Sequence, residues 1–470
     1  MDKNQIRKRR KKKRARRVFI IKCVLVLIML GIPVCFVAKH NLDEKRKDEE
    51  IEKANRLAEL KKEEEAKSCF DAIYQEKFEE SIAEWVFENY DESEIERLKM
   101  AAGDSGLTES EIYEVFGESI YVVRDRYLGY LSDEETAKKQ GIYFRDGKSE
   151  GSVEIAVAGD LCLAEDGFVL DHYDTVNELS QCISPEILNI LNQADLFYVN
   201  HEYCISDRGT PLEGKYYTFR AKPERMSILK EMGTDIVSLA NNHVFDYGED
   251  ALLDTANLLD MAGIPYVGGG RNIEEAKRPI YYIIDGIKIG FVAASNGERI
   301  KYTPQATETA PGILRAYDTT EYNEVICKAA KNCDYLIAYI HWGTEDSNYL
   351  NPDQQAWGRE FLNSGADIVI GGHPHVLQGI EYVDGKPIIY SLGDFWFNHE
   401  TKYTGVLKLQ ISQNGLDEMS FVPCLQTGFT TQYIQKPEEQ QKLYQFIKDL
   451  SINVEINENG VFAEFIGGQS

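Results

Sequence analysis

Residues 368–375 read Ile-Val-Ile-Gly-Gly-His-Pro-His, a short apolar run that stops at two glycines and then presents two histidines. The layout recurs upstream and downstream. Gly159-Asp160 follows Ile155–Ala158, Asn200-His201-Glu202 follows Leu196–Val199, and Asn241-Asn242-His243 follows Ile236–Ala240, with Asp246 just beyond. His341-Trp342-Gly343 follows Leu336–Ile340, and Ser391-Leu392-Gly393-Asp394 follows Ile388–Tyr390. Short apolar runs between turn residues read as buried strands. Ligand sites in open α/β sheets form beyond the carboxyl ends of such strands. The clusters therefore predict several strands delivering Asp, Glu, Asn and His to one edge of one sheet. Those side chains suit a hard or borderline metal, and acid–base chemistry.

Helical patterns fill the gaps between these runs. Residues 223–232, 249–262, 319–332 and 353–364 are expected to be helices that precede strands. Ile280–Ile284 and Ile287–Val292 flank Asp285-Gly286, a hairpin signal, and Tyr382-Val383-Asp384-Gly385 marks a second hairpin. Residues 403–424 read as further strands. Helix–strand alternation mixed with hairpins predicts a layered α/β domain over residues 151–415, large enough to bury its own core. Residues 416–470 are expected to be a C-terminal extension, and 146–152 (DGKSEGS) a linker.

The amino-terminal third is different. Residues 1–17 hold eleven Lys or Arg against one Asp, and 21 mostly apolar residues, 18–38, follow at once. As a helix that stretch is roughly 32 Å long, enough to cross a bilayer core. Basic flanks stay cytoplasmic, which predicts a single membrane anchor with residues 39–470 outside the cell. The alternative is a cleaved signal peptide, but the apolar stretch is long and no A-x-A-like site follows it. In residues 43–67, 18 of 25 positions are charged. They read as a solvated helical stalk with a thin coiled-coil seam. Two amphipathic helices are expected over 68–90 and 108–123, completing a stalk and small helical region over 39–150.

The chain's net charge is −26. Residues 1–17 contribute +10, which leaves −36 for the rest. So acidic an outer region repels nucleic acid and predicts none as partner. Nine cysteines without CxxC spacing exclude a disulfide framework or zinc finger. Cys327 and Cys333 are spaced to pair, and Cys162 lies two residues after Asp160.

The motif order resembles that of the metallophosphoesterases. Asn242-His243, His341 and Gly372-His373-Pro374-His375 fit their later elements, while Cys162 replaces an expected His and Asn200-His201-Glu202 stands where GD-x-x-D belongs. A closer resemblance is to the CapA family of capsule-synthesis proteins. It is built on G-D, N-x-E, N-N-H-x-x-D, H-W-G-x-E, G-H-P-H and Y-S-L-G-N-F. All six occur here in order, from Gly159-Asp160 to Tyr390-Ser391-Leu392-Gly393-Asp394-Phe395, with Asp394 in place of Asn. The resemblance implies an α/β/β/α metallophosphatase-like sandwich and a poly-γ-glutamate-like envelope polymer or its precursor as substrate. It also implies other membrane proteins of a capsule complex as partners. One divalent metal, two held differently, or none are all compatible with the altered motifs.

Within that frame Asp160, Glu202, His243, His341 and His373 are expected as ligands for Mn, Zn or Fe. Asp160, His243 and His375 are the candidates for proton transfer, with His375 equally open to a ligand role. Asn242 is placed to ligate or to hold a substrate oxyanion, Asn200 to contact substrate or support the ligands, and Asp246 and Glu345 to orient histidines. Trp342 either lines a pocket or packs the sheet. Three functions compete: metal-assisted hydrolysis or transfer on an envelope polymer, a plain phosphoesterase, and a non-catalytic scaffold for polymer export.

Overall fold

A computed structural model describes residues 137–465 apart from 139, 150, 166–168 and 298–300. The expected membrane span, stalk and two amphipathic helices lie outside the described residues. Among the described residues, no helix is long and apolar enough to cross a membrane.

The strands that frame the site are, in chain order, β1 (Ile142–Arg145), β2 (Val153–Leu161), β3 (Leu196–His201), β4 (Ile236–Ser238) and β5 (Tyr266–Val267). Then come β6 (Ile280–Ile284), β7 (Ile287–Ser295), β8 (Tyr335–His341), β9 (Ile368–Gly372), β10 (Ile380–Val383) and β11 (Lys386–Ile389). β12 (Asp394–Trp396), β13 (Lys402–Ser412), β14 (Gly415–Thr427) and β15 (Thr430–Tyr433) follow. The helices that cover them are α1 (Pro185–Gln193), α2 (Met226–Glu231), α3 (Glu249–Ala262), α4 (Thr320–Ala330), α5 (Pro352–Asn363) and α6 (Pro437–Leu450).

These strands make two sheets, not one. The first runs β1-β6-β7-β8-β9-β11-β10, and the second runs β15-β14-β13-β2-β3-β4-β5, with β12 added beside β2. β7, β8, β9 and β11 are parallel, as are β2, β3, β4 and β5. Each sheet therefore has a carboxyl edge of its own. The two edges face one another across the site, so the expectation of a single sheet edge is corrected. Local alternation marks a strand without saying which sheet it joins.

Side-chain alternation sets the layers. On β8, Tyr335, Ile337 and Tyr339 enter the core between the sheets, while Leu336, Ala338 and Ile340 pack under α4 and α5 with Tyr322, Ile326 and Phe361. On β3, Leu196 and Tyr198 face inward, while Phe197 and Val199 face α1, α2 and α3 with Ile187, Leu229 and Leu252. The result is helix, sheet, sheet, helix, the layering the resemblance implies. Burial of this many branched side chains on both faces of each sheet is what holds the sandwich.

The sequence-level helix 249–262 and the hairpin around Asp285-Gly286 coincide with α3 and β6–β7. The sheets extend beyond the expected domain limits, 151 and 415, on both sides. β1 is the edge strand of the first sheet, paired with β6 from Ile142 to Arg145. Residue 415 falls at the turn between β13 and β14, whose pairing runs from Lys402–Gln426 to Ser412–Gly415. Cys327 and Cys333 are both free thiols.

Candidate functional site

β2 does not run straight to its end. Its register with β3 shifts between Val157 and Asp160, a bulge that re-aims the side chain following it. Gly159 permits this, because a Cβ there would lie 1.9 Å from the Gly393 carbonyl oxygen. Asp160 is thereby turned into the space between the sheets, fully buried. Asn200 continues the inward series of β3, and Glu202 follows it. His201 points the other way and stacks on Tyr203 at 3.8 Å between ring centroids. From the first sheet, His341 continues the inward series Tyr335, Ile337, Tyr339. His373 and His375 leave β9 on left-handed backbone, at φ 96° and 57°, an uncommon state for residues other than glycine that is often found at ligand sites.

Asn200 joins the carboxylates. Its Nδ2 donates to Asp160 Oδ1 at 2.8 Å and to Glu202 Oε2 at 3.1 Å. The two asparagines of Asn241-Asn242 divide the work. Asn241 holds the turn: its Oδ1 accepts from the amides of His243 and Val244, and its Nδ2 donates to Asn200 Oδ1 and the His201 carbonyl. Asn242 faces the site, with its Oδ1 2.7 Å from His341 Nε2. His341 Nε2 also lies 3.4 Å from Glu202 Oε1. Asp160 Oδ2 accepts from the backbone amide of His373 at 3.1 Å and lies 3.5 Å from His375 Nδ1.

Three ligand groups emerge, each with atoms within 4.8 Å of one another: Glu202, His341 and His373; Asp160, Glu202 and His375; and Glu345, His373 and His375. Glu345 is exposed and closes the outer side. His243, expected as a ligand, is outside all three; its Nδ1 lies 2.6 Å from Asp246 Oδ2. It stays electrostatically coupled to Glu202 and His373. Trp342 is not at the site. It is fully buried under α5, stacked on Phe361 and Tyr390, with its indole nitrogen donating to the Tyr390 carbonyl at 3.0 Å. Strand alternation after His341 turns it to the helical face.

Asp394 was flagged by its cluster but given no role, and three further contributors, Lys402, Lys215 and Thr303, were not expected from sequence. Asp394, carried by β12 to lie opposite Asp160, places Oδ1 2.8 Å from His375 Nδ1. Its presence in the Y-S-L-G-D-F run was the available signal. Lys402 reaches to 3.8 Å from Asp394. Lys215, from the loop after β3, is buried and pairs with Asp246 at 2.6 Å. Thr303 donates to the Asn242 carbonyl at 2.9 Å. Lys215 and Thr303 sit in no motif, and only the folded chain brings them in.

The electrostatics follow from burial. Desolvation, with the neighbouring carboxylate charges, pushes Asp160 up to about 7, and desolvation with Asp394 and Glu345 pushes Glu202 to about 7. Burial also lowers His341 to about 3, and burial with the adjacent imidazoles lowers His373. Burial opposes charge on His375 too, but Glu202, Asp394 and Asp160 outweigh it and hold the imidazolium well above the usual value. His373 Nδ1 and Glu202 Oε1 are buried with no hydrogen-bond partner. Buried unpaired acceptors are costly, and a cation between them would satisfy both. The donor set of carboxylate oxygen and imidazole nitrogen fits a divalent metal such as Mn, Zn or Fe.

Carboxylates and imidazoles gathered at the facing carboxyl ends of two sheets define a layered α/β protein with a metal-competent polar centre. The chain belongs to the bacterial capsule synthesis protein family PGA_cap, whose profile matches residues 154–399. It is 32% identical over 241 residues to "Capsule biosynthesis protein CapA" of Bacillus anthracis, covering 49% of this chain and 57% of that one. It is 31% identical over 204 residues to "PGA biosynthesis protein CapA" of Bacillus subtilis, covering 43% and 53%. The matched stretch thus spans little more than half of either relative. A solved 5'-nucleotidase from Candida albicans has a TM-score of 0.33 and 14% identity, over 57% of this chain and 51% of that one.

Proposed function

We propose that the protein acts in the synthesis, release or export of an anionic envelope polymer of the poly-γ-glutamate kind, by metal-assisted hydrolysis or transfer. The observation that carries this reading is the convergence of Asp160, Glu202, His341, His373 and His375 inside a domain of the capsule-synthesis family. When bound, a divalent metal would polarise an acyl or phosphoryl oxygen and lower the pKa of a bound water.

The chain's own residues supply the rest. Glu202, His341 and His373 would hold the metal, with Asp160 or Glu345 beside them. Asn242 offers an amide to a developing oxyanion. His375, kept protonated by Asp394, stands as the acid that returns a proton to a leaving group. His243, held by Asp246, orients substrate or takes a proton at Nε2. The acting domain sits outside the cell, anchored by residues 18–38, and meets partner membrane proteins through the segment before residue 137.

The test is complementation of a deletion strain with His341→Ala. Loss of surface polymer at normal protein level supports the reading. Full polymer output from the variant contradicts catalysis and favours a scaffold. Turnover of generic phosphoesters by the purified chain, with polymer unaffected, would favour the phosphoesterase reading. That reading draws on the Asn242-His243 pair with its Asp246 partner.

A further inference from the structure

The Tyr339 hydroxyl lies beneath the site, and no motif includes it. Tyr339 is two residues before His341 on β8, so both side chains face between the sheets. Its Oη is 3.4 Å from His341 Nδ1, and it shares the space beside Gly372 with the Asp160 carboxylate. Gly372 makes the room: a Cβ there would stand 2.1 Å from Tyr339 Oη and 2.7 Å from Asp160 Oδ1.

Counting protons shows what the hydroxyl does. His341 Nδ1 has two polar neighbours at 3.4 Å, Tyr339 Oη and Asn200 Nδ2. Asn200 has two amide protons, and both are given to Asp160 and Glu202. Tyr339 is therefore the only group of this pair able to serve Nδ1. Nε2 points at Asn242 Oδ1 and donates its proton there. The same Nε2 faces Glu202 Oε1.

We propose that Tyr339 is a positioning residue that selects the tautomer of His341, accepting from Nδ1–H when Nε2 carries a metal and donating to Nδ1 when Nε2 carries a proton. This rests on the metal reading above. In the metal-free ring the N–H bond is at Nε2 and the phenol donates to Nδ1. On loading, the N–H bond at Nε2 breaks and one forms at Nδ1, so the ring remains neutral and no net proton is exchanged. The phenol then turns its O–H to the Asp160 carboxylate. A ligating histidine whose other nitrogen donates to a fixed acceptor binds more strongly and in one orientation.

The test is Tyr339→Phe in the full chain, stripped of metal and titrated with Co2+. Affinity should fall about 10- to 100-fold, the loss typical of removing such an outer partner, while the metal-free variant keeps the wild-type circular dichroism. Histidine-selective 15N spectra should show His341 moving from Nε2–H to Nδ1–H on loading in the wild type, and a mixture of tautomers in metal-free Tyr339→Phe. Tyr198→Phe, which removes a neighbouring buried hydroxyl, should retain wild-type affinity. Equal affinity for wild type and Tyr339→Phe, or equal losses in both variants, overturns the assignment. A wild-type chain that takes up no Co2+ overturns the metal reading and this inference with it.

Discussion

Asp160 and Glu202 are buried side by side, bridged by the one amide of Asn200. Without a cation, the fold keeps protons on them up to about pH 7, whereas in an unfolded chain they titrate near 3.8 and 4.5. A raised carboxyl pKa means that the native state binds more protons over that window. Its stabilising contribution is full below about pH 4 and is lost as pH rises through about 7. Buried neutral His341 and His373 act in the opposite sense below about pH 6.5, so the contribution of the acids is read as a difference between variants. In chelator-treated protein the stability of wild type relative to Glu202→Gln should fall as pH rises from about 5 to about 8, and added metal should restore wild-type stability most at about pH 8. Urea unfolding of both proteins across this range checks it, and a difference that rises with pH would contradict the burial of this acid. Single residues also mark where sequence reading stops. Asp160, Glu202, His341 and His373 were legible, because each follows an apolar run. Lys215 and Thr303 were not, because a buried lysine in a polar loop carries no local pattern.

The strands themselves were legible for a physical reason: buried parallel strands are short apolar runs, and their ends are abrupt. β8 and β9 could be read directly, and so could the helix at 249–262. The pairing could not be read. β12 joins β2 with Asp394 opposite Asp160, far apart in sequence, and no local alternation encodes such a contact. The same gap misplaced the carboxyl limit. β14 pairs along its length with β13, and Phe421 and Met419 from it enter the core between the sheets, together with Leu443 and Ile447 of α6. Ending the chain at residue 415 should therefore leave β13 as a bare apolar edge and yield insoluble protein. A chain ending after residue 465 should stay soluble and cooperative in its unfolding. Soluble, folded protein from the shorter chain, judged by circular dichroism and size exclusion, would show that β14 and α6 are dispensable.

At the scale of the whole molecule, charge separates the ends. Residues 1–17 are strongly basic and the rest strongly acidic. Protease added to intact cells should degrade the acidic domain. Protection that ends only on lysis would contradict the proposed placement outside. An acidic body also raises the local concentration of divalent cations near the site, and it repels polyanions wherever no cation intervenes. In the proposed function, a bound metal would thus serve to admit the anionic polymer as well as to activate it. The central claim is that the two sheet edges together form a metal centre. Anomalous diffraction from crystals of the chain soaked in Mn2+ tests it most directly. The account predicts a peak bounded by Glu202, His341 and His373, about 2.0–2.3 Å from their ligand atoms, and absent in His341→Ala. A peak only at surface acids, or none at saturating Mn2+, would contradict it.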